Sequence, residues 1–172
     1  GESIYYEKSD LKQDLNKILR ASSSLPFVAD IVEHEGKHLL DGGLSDPIPI
    51  RKSLSDGNAK NIIILTQPFG YVKKSLKRGK WAFKRKYGEY KGLLNIMIKR
   101  ANKYNETLDF IQRLEQEGKA IVFRPENLMG VSRTEQKTEK LEALYEHGYN
   151  QAKSRKDEIL HFIEEKISST VS

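Results

Sequence analysis

Two short apolar runs constrain the fold more than any other feature of the chain. Asn61-Ile62-Ile63-Ile64-Leu65-Thr66 is unbroken and mostly β-branched, and Ala120-Ile121-Val122-Phe123 repeats the pattern before it stops at Arg124-Pro125. Runs of this kind are typical of strands that are covered on both faces in an α/β sheet. We therefore expect an α/β fold in which helices cover both runs.

Helical periodicity surrounds these two runs. Two helical patterns lie between them, Gly92 to Ala101 and Glu106 to Glu117, and Gly118 ends the second as the residue that follows a helix. Three further helical patterns lie outside this interval. The first is capped by Ser9 and has Leu11, Leu15, Ile18 and Leu19 on its apolar face, and the second runs from Thr134 to Tyr149. The third has the apolar residues Ile159, Leu160, Phe162, Ile163 and Ile167. Two strands do not make a doubly covered sheet, so we expect the remaining strands to come from outside these residues.

The composition excludes several classes of function. The chain has no cysteine, which rules out disulfides, thiolate zinc sites and thiol catalysis. No apolar run approaches the roughly 18 residues of a membrane-spanning helix, and nothing resembles a secretory signal. We therefore expect a cytoplasmic protein, attached to a membrane at most peripherally, and the sequence contains no phosphate-binding loop that would indicate a nucleotide cofactor.

The positive charge is concentrated in one basic strip, Lys73 to Lys86. The chain has 30 Lys and Arg against 24 Asp and Glu, and the strip is acid-free, so the remaining residues are faintly acidic. Three interpretations stay open: a solvated surface, a contact with anionic lipid helped by the interleaved Trp81, Phe83 and Tyr87, or a nucleic-acid contact. No nucleic-acid motif supports the last, so we expect no nucleic-acid partner. The membrane-contact candidates are Lys73, Lys74, Lys77, Arg78, Lys80, Trp81, Lys84, Arg85 and Lys86.

His34-Glu35-Gly36-Lys37-His38 has the spacing of a zinc-protease motif. That spacing brings two imidazoles together only on a helix. Here Gly36 stands in the middle, apolar residues from Phe27 to Glu33 precede it, and His38-Leu39-Leu40 follows, so strand, turn and strand are the simpler interpretation. We expect a polar hairpin tip and no metal.

Asp41-Gly42-Gly43 follows this hairpin directly. An acid after an apolar strand lies where ligands bind in α/β folds, and glycines permit positive φ and close approach of another group. The alternative is a plain Asp-Gly turn.

The residues around this tripeptide resemble the patatin-like phospholipase family. The resemblance rests on an A-S-x-x-x-P segment at Ala21 to Pro26, the Gly36 turn, and Leu40 to Ile50, which carries the family's D-G-G/A motif followed by Pro and Ile. Later residues resemble the bacterial branch of the family: Leu65-Thr66-Gln67-Pro68, Gly70-Tyr71, Arg100, Tyr104-Asn105, Arg124-Pro125 and Gly148-Tyr149. The resemblance implies the C-terminal portion of a patatin-like α/β/α sandwich, with several helices after the hairpin.

The resemblance also implies a chemistry. In the family, a Ser-Asp dyad without histidine hydrolyses acyl esters, the D-G-G/A aspartate pairs with the nucleophile, and a glycine-rich loop binds the oxyanion. Asp41 occupies the aspartate position, with Gly42 and Gly43 completing the motif, and no cofactor is implied. The family's GxSxG elbow and its glycine-rich loop are absent from this sequence, so we expect a fragment that is inactive alone.

The expected partners and segments combine the resemblance with the residue patterns described above. We expect a lipid or acyl-ester substrate, an anionic membrane surface, and self-association of the fragment through uncovered strand edges or apolar helix faces. The whole chain would be part of one patatin-like domain: residues 1-70 carry the dyad aspartate and a strand, 71-90 the basic strip, and 91-172 a helix-rich region with one strand. The alternative function is a non-catalytic module that binds lipid or a partner through the basic strip.

Overall fold

A computed structural model describes residues 1–7, 9, 14–75, 80–132 and 134–165. Helices and short strands alternate, so the α/β class is confirmed. In chain order the elements are α1 (Leu15–Ser22), β1 (Val32–His34), β2 (Lys37–Leu39), a 3-10 turn (Gly42–Leu44), α2 (Ile50–Ser55), β3 (Asn61–Ile64), α3 (Lys80–Tyr87), α4 (Lys91–Gln116), β4 (Ala120–Phe123), α5 (Thr138–Ser154) and α6 (Lys156–Glu164). They form two compact units, each built from two segments: residues 1–49 with 73–107, and residues 50–72 with those from 108 onward.

The first unit contains the expected hairpin. Strands β1 and β2 pair antiparallel, with Val32 opposite Leu39 and His34 opposite Lys37. Glu35 and Gly36 both have positive φ, 48° and 71°, as a two-residue hairpin turn of the favoured kind requires. The core of this unit contains Leu44, Phe83, Tyr87 and Leu93, all buried. The residue that follows the Asp41-Gly42-Gly43 motif therefore belongs to the same core as two side chains of α3.

The second unit contains the two apolar runs as a parallel pair. Asn61 lies opposite Ala120 and Ile64 opposite Phe123. Every residue of β4 is buried, which agrees with coverage on both faces. The same expectation is wrong for β3, because Ile62 and Ile64 are 44% and 78% exposed while Ile63 is buried. Nothing in the described part of the chain covers that face of β3. An uncovered apolar face is the kind of surface through which self-association was expected, and that expectation stays a prediction. Sedimentation across a wide concentration range tests it.

Helix α4 is one helix where the sequence pattern predicted two. The polar stretch Asn102 to Asn105 contains neither Gly nor Pro, so nothing in it interrupts the helical hydrogen bonds. Ala101, Tyr104 and Thr107 are buried, which continues the internal face through the stretch that the pattern left out. The helix ends as expected: Gly118 has φ 68°, and the amides of Gly118 and Lys119 donate to the carbonyls of Glu115 and Leu114 in a Schellman motif.

Helices α1, α5 and α6 depart from the sequence patterns at their ends, whereas α2 and α3 match no helical pattern identified in the sequence. Residues 10–13, which include the apolar Leu11, lie outside the described residues. The expected cap Ser9 directly precedes them, and α1 begins at Leu15. Helix α5 runs from Thr138 to Ser154, later than the predicted pattern, and Ile167 lies outside the described part of α6. None of the helices in the described ranges is long and apolar enough to cross a bilayer.

Arg155 joins the strand and the last helix of the second unit. Its Nη1 donates to the carbonyl of Val122 at 2.9 Å, and its Nε and Nη2 each donate to the Glu158 carboxylate at 2.6 Å. The guanidinium also lies 4.6 Å from the centre of the Phe123 ring. The hydrogen bond from Arg155 lowers the pKa of Glu158 from its ordinary value.

We expect Arg155→Gln to lower the free energy of unfolding by about 1–3 kcal/mol, because it removes charged hydrogen bonds and a cation–π contact. Urea denaturation at pH 7 measures the loss, and Lys153→Gln, an exposed cation of the same unit, is the control. Because the pKa of Glu158 is lower in the folded chain than its ordinary value of 4.5, the ionised carboxylate stabilises the fold at pH values above 4.5. This stabilisation is lost as the pH falls through the lower pKa of the folded chain. The difference between wild type and variant should therefore shrink below about pH 4.5; a difference unchanged at pH 3 would contradict the role of Glu158.

Candidate functional site

The Asp41 side chain caps the 3-10 turn that follows the hairpin. Its Oδ1 accepts a hydrogen bond from the Gly43 amide at 2.7 Å, and its own amide donates to the carbonyl of Ser24 at 2.9 Å. The Leu44 amide then donates to the carbonyl of Asp41, which closes the turn. Both ends of the motif are thus fixed, one to the segment after α1 and the other to its own turn.

The second oxygen of this carboxylate remains available. Asp41 is only half-buried, and within the described ranges no hydrogen bond or ion pair engages Oδ2. A carboxylate held by one oxygen presents the other in a fixed direction, which is the arrangement that proton transfer with a hydroxyl requires. The geometry therefore allows Asp41 to accept a proton from a nearby nucleophile.

The two glycines have different roles from those predicted. Neither Gly42 nor Gly43 has a positive φ, so the motif does not use the left-handed backbone that glycine permits. At Gly43 the close neighbour is the motif's own carboxylate, because an added Cβ would lie 2.9 Å from Oδ1 of Asp41, and close approach of a separate group stays a prediction. At Gly42 an added Cβ would meet nothing nearer than the Ser22 hydroxyl, at 4.0 Å.

This difference predicts that Gly43→Ala destabilises the chain and Gly42→Ala does not. A methyl group at residue 43 displaces the carboxylate of Asp41 and weakens its hydrogen bond to the Gly43 amide. Loss of a capping bond of this type costs about 1 kcal/mol, whereas the Gly42 variant should stay within about 0.5 kcal/mol of wild type. Urea denaturation of both variants measures the two values, and equal losses would contradict this account of Gly43.

Arg100 of α4 also holds the motif, from a distant part of the chain. Its Nη2 donates to the carbonyl of Gly43 at 3.2 Å, while its Nε is shielded from solvent and has no hydrogen-bond partner in the described residues. The sequence resemblance drew attention to Arg100 but not to this contact. The only signal in the sequence is that α4 contains no acid from Lys91 to Asn105, so Arg100 has no acidic residue three or four positions away on the helix.

The serine cluster before the hairpin is mostly engaged with backbone. The Ser23 and Ser24 hydroxyls donate to carbonyls of α1, Ser24 to Arg20 at 2.8 Å. Both hydroxyls thus stabilise the backbone at the end of α1.

The two histidines of the HExxH spacing lie on opposite faces of the hairpin. His38 is opposite Glu33 and His34 is opposite Lys37, and side chains alternate between faces along a strand. His34 is buried against the Tyr6 ring, while His38 is exposed. The described part of the chain contains no cluster of three or more His, Asp or Glu that could hold a metal ion.

The basic strip divides into an anchored part and an exposed part. The backbone of Lys73 is bound to α4, because its amide donates to Oδ1 of Asn105 and its carbonyl accepts from Nδ2 of the same side chain. Phe83 and Tyr87 are buried in the core, so the expectation that they face a membrane is wrong; their four-residue spacing forms the inner face of α3. The exposed candidates are Lys74, Lys80, Trp81, Lys84, Arg85 and Lys86, and Lys77 and Arg78 lie outside the described residues.

Comparison with known proteins agrees with the motif. Residues 2–53 match the family model described as patatin-like phospholipase. The resemblance to that lipid-hydrolase family is thereby shown. The matched stretch contains α1, the hairpin and the whole Asp41-Gly42-Gly43 motif. It ends before β3, so the resemblances quoted from Leu65 onward stay predictions.

Two further comparisons are less informative about function. Residues 90–164 match a model described as a domain of unknown function, DUF6363. The uncharacterized protein YjjU of Escherichia coli (strain K12) is 40% identical over 58 residues, which are 33% of this chain and 16% of that protein. The aligned residues thus span about a sixth of the relative. No solved structure matches the chain.

Proposed function

We propose that this chain contributes the aspartate of a Ser-Asp acyl hydrolase, and that the nucleophilic serine and the oxyanion loop come from residues outside these 172. The observation that supports the proposal is the geometry of Asp41, with Oδ1 bound to the Gly43 amide and Oδ2 open. The family match over residues 2–53 supports the substrate class, a lipid acyl ester.

In this mechanism Asp41 transfers one proton in each of two half-reactions. The serine oxygen attacks the ester carbonyl while its proton passes to Oδ2 of Asp41, and the proton then moves to the alkoxide that leaves. Asp41 next takes a proton from water as the water attacks the acyl-serine, and returns it to the serine oxygen. The turn that contains Gly43 keeps the carboxylate in place throughout, since its amide bonds to the oxygen that takes no proton.

Ester turnover by two proteins tests the proposal. The 172-residue chain and the product of the complete gene are assayed with the same short-chain p-nitrophenyl ester, and a fluorophosphonate probe reports a reactive serine in each. We expect turnover and labelling only in the complete product. Equal turnover by the 172-residue chain, or a complete product without a reactive serine, would overturn the proposal.

The exposed face of α3 supports a second candidate function, contact with an anionic membrane. Lys80, Lys84 and Arg85 are exposed, and the neighbouring Trp81 is 72% exposed. Phe83 and Tyr87, on the inner face of the helix, pack in the core. That core also contains Leu44, directly after the motif. Membrane contact through α3 would therefore hold the Asp41 turn near lipid, whether the complete protein hydrolyses it or only binds it.

A further inference from the structure

A cavity of about 290 Å³ lies next to the Asp41 turn, within the first unit. Its walls come from the first three residues, from the segment after Gly43, and from one side of α4. The wall from α4 is cationic, because Lys99, Arg100 and Lys103 all line the cavity. The apolar part of the lining comes from Leu44, Pro47 and Ile96.

The three cations have little to neutralise them. Within the described residues none of the three forms an ion pair; the nearest acids along the chain are Glu89, which precedes α4, and Glu106, which follows Lys103 on the helix. Glu2 is the one carboxylate in the lining. Asp46, which lies close by in sequence, accepts a hydrogen bond from the Tyr5 hydroxyl.

We propose that this cavity binds an oxyanion carried on a short apolar chain, such as the carboxylate of a fatty acid or the phosphate of an alkyl phosphate. Arg100 and the two lysines supply the charge, since guanidinium and ammonium groups are the usual partners of carboxylate and phosphate. Leu44, Pro47 and Ile96 supply the apolar contact. The volume is at the lower limit of small-molecule sites, which restricts the occupant to a head group and one short alkyl chain. The proposal concerns binding only and does not depend on ester hydrolysis.

Four probes separate the parts of the proposal: octanoate, octyl phosphate, inorganic phosphate and 1-octanol, each titrated calorimetrically into the full chain at low salt. We expect octanoate or octyl phosphate to bind at least tenfold more tightly than both inorganic phosphate and octanol. The tighter of the two octyl anions identifies the head group. Equal binding of octanol would overturn the anion contact, equal binding of inorganic phosphate would overturn the apolar contact, and no binding of any probe would overturn the site.

Variants locate the binding. Lys99→Gln with Lys103→Gln should weaken the preferred anion at least tenfold, and Glu2→Gln should strengthen it, since the first removes attraction and the second removes repulsion. Lys91→Gln, on the same helix but outside the cavity, is the matched control. Arg100→Gln should also weaken binding, but Arg100 holds Gly43, so the lysine pair keeps the test valid if that variant unfolds. Unchanged binding in the lysine pair, or an equal loss in the Lys91 variant, would contradict the proposed location.

Discussion

Asp41→Asn in the complete gene product should lower kcat for ester hydrolysis about a thousandfold, because the amide cannot take the proton of the serine and a positioned general base contributes about 10²–10⁴ in rate. The substitution keeps the shape of the side chain. Its amide oxygen can still accept the hydrogen bond from Gly43, so the turn and the fold should persist. Steady-state kinetics with a soluble ester measure the effect, and KM should change little.

Two controls separate lost chemistry from lost structure. Asp30→Asn removes an exposed carboxylate of the same unit and should leave kcat within a factor of two. The unfolding curve of Asp41→Asn should overlay that of wild type within about 0.5 kcal/mol. A variant that keeps a tenth or more of wild-type kcat would show that Asp41 is not the base, while normal kcat with a lower unfolding free energy would assign it a capping role alone.

Local signals in the sequence predicted the parts of the fold that depend on neighbouring residues. Gly36 between two strand patterns was enough for the hairpin, and the β-branched residues around Ile63 were enough for β3. Gly118 marked the end of α4 because only a residue tolerant of positive φ ends a helix in this way. The position of Asp41 after the hairpin followed from the same signals, and the family resemblance added its role.

Contacts between distant residues escaped the sequence analysis. The continuity of α4 depends on the burial of Tyr104 and Thr107, which a polar stretch does not reveal. The contact between Arg100 and Gly43 joins residues 57 positions apart, and no periodicity relates them. The aromatic residues of the basic strip show the same limit. Phe83 and Tyr87 could have faced either lipid or protein, and only the packing against Leu44 and Leu93 decides between the two.

The membrane prediction rests on that division of α3 into an inner and an outer face. Lys80→Gln, Lys84→Gln and Arg85→Gln together should weaken binding to vesicles with a third phosphatidylserine about a hundredfold, since each cation near an anionic surface contributes about 1 kcal/mol. These three side chains are exposed and outside the core, so the fold should survive their replacement. The matched control is Lys17→Gln, Lys37→Gln and Lys91→Gln, which removes the same charge from other exposed positions of the first unit.

Co-sedimentation of the chain with vesicles distinguishes a specific surface from general attraction. If net charge alone drives binding, both triple variants lose affinity equally, and the assignment to α3 fails. If α3 forms the contact, the control binds nearly as wild type, and Trp81→Ala lowers affinity further without any change in charge, because its exposed ring no longer enters the interface. Raising the salt from 0.1 to 0.5 M should release wild type but change the α3 variant little, since screening acts on the charges that this variant lacks. Binding to neutral vesicles equal to that on anionic ones would exclude the electrostatic contact altogether.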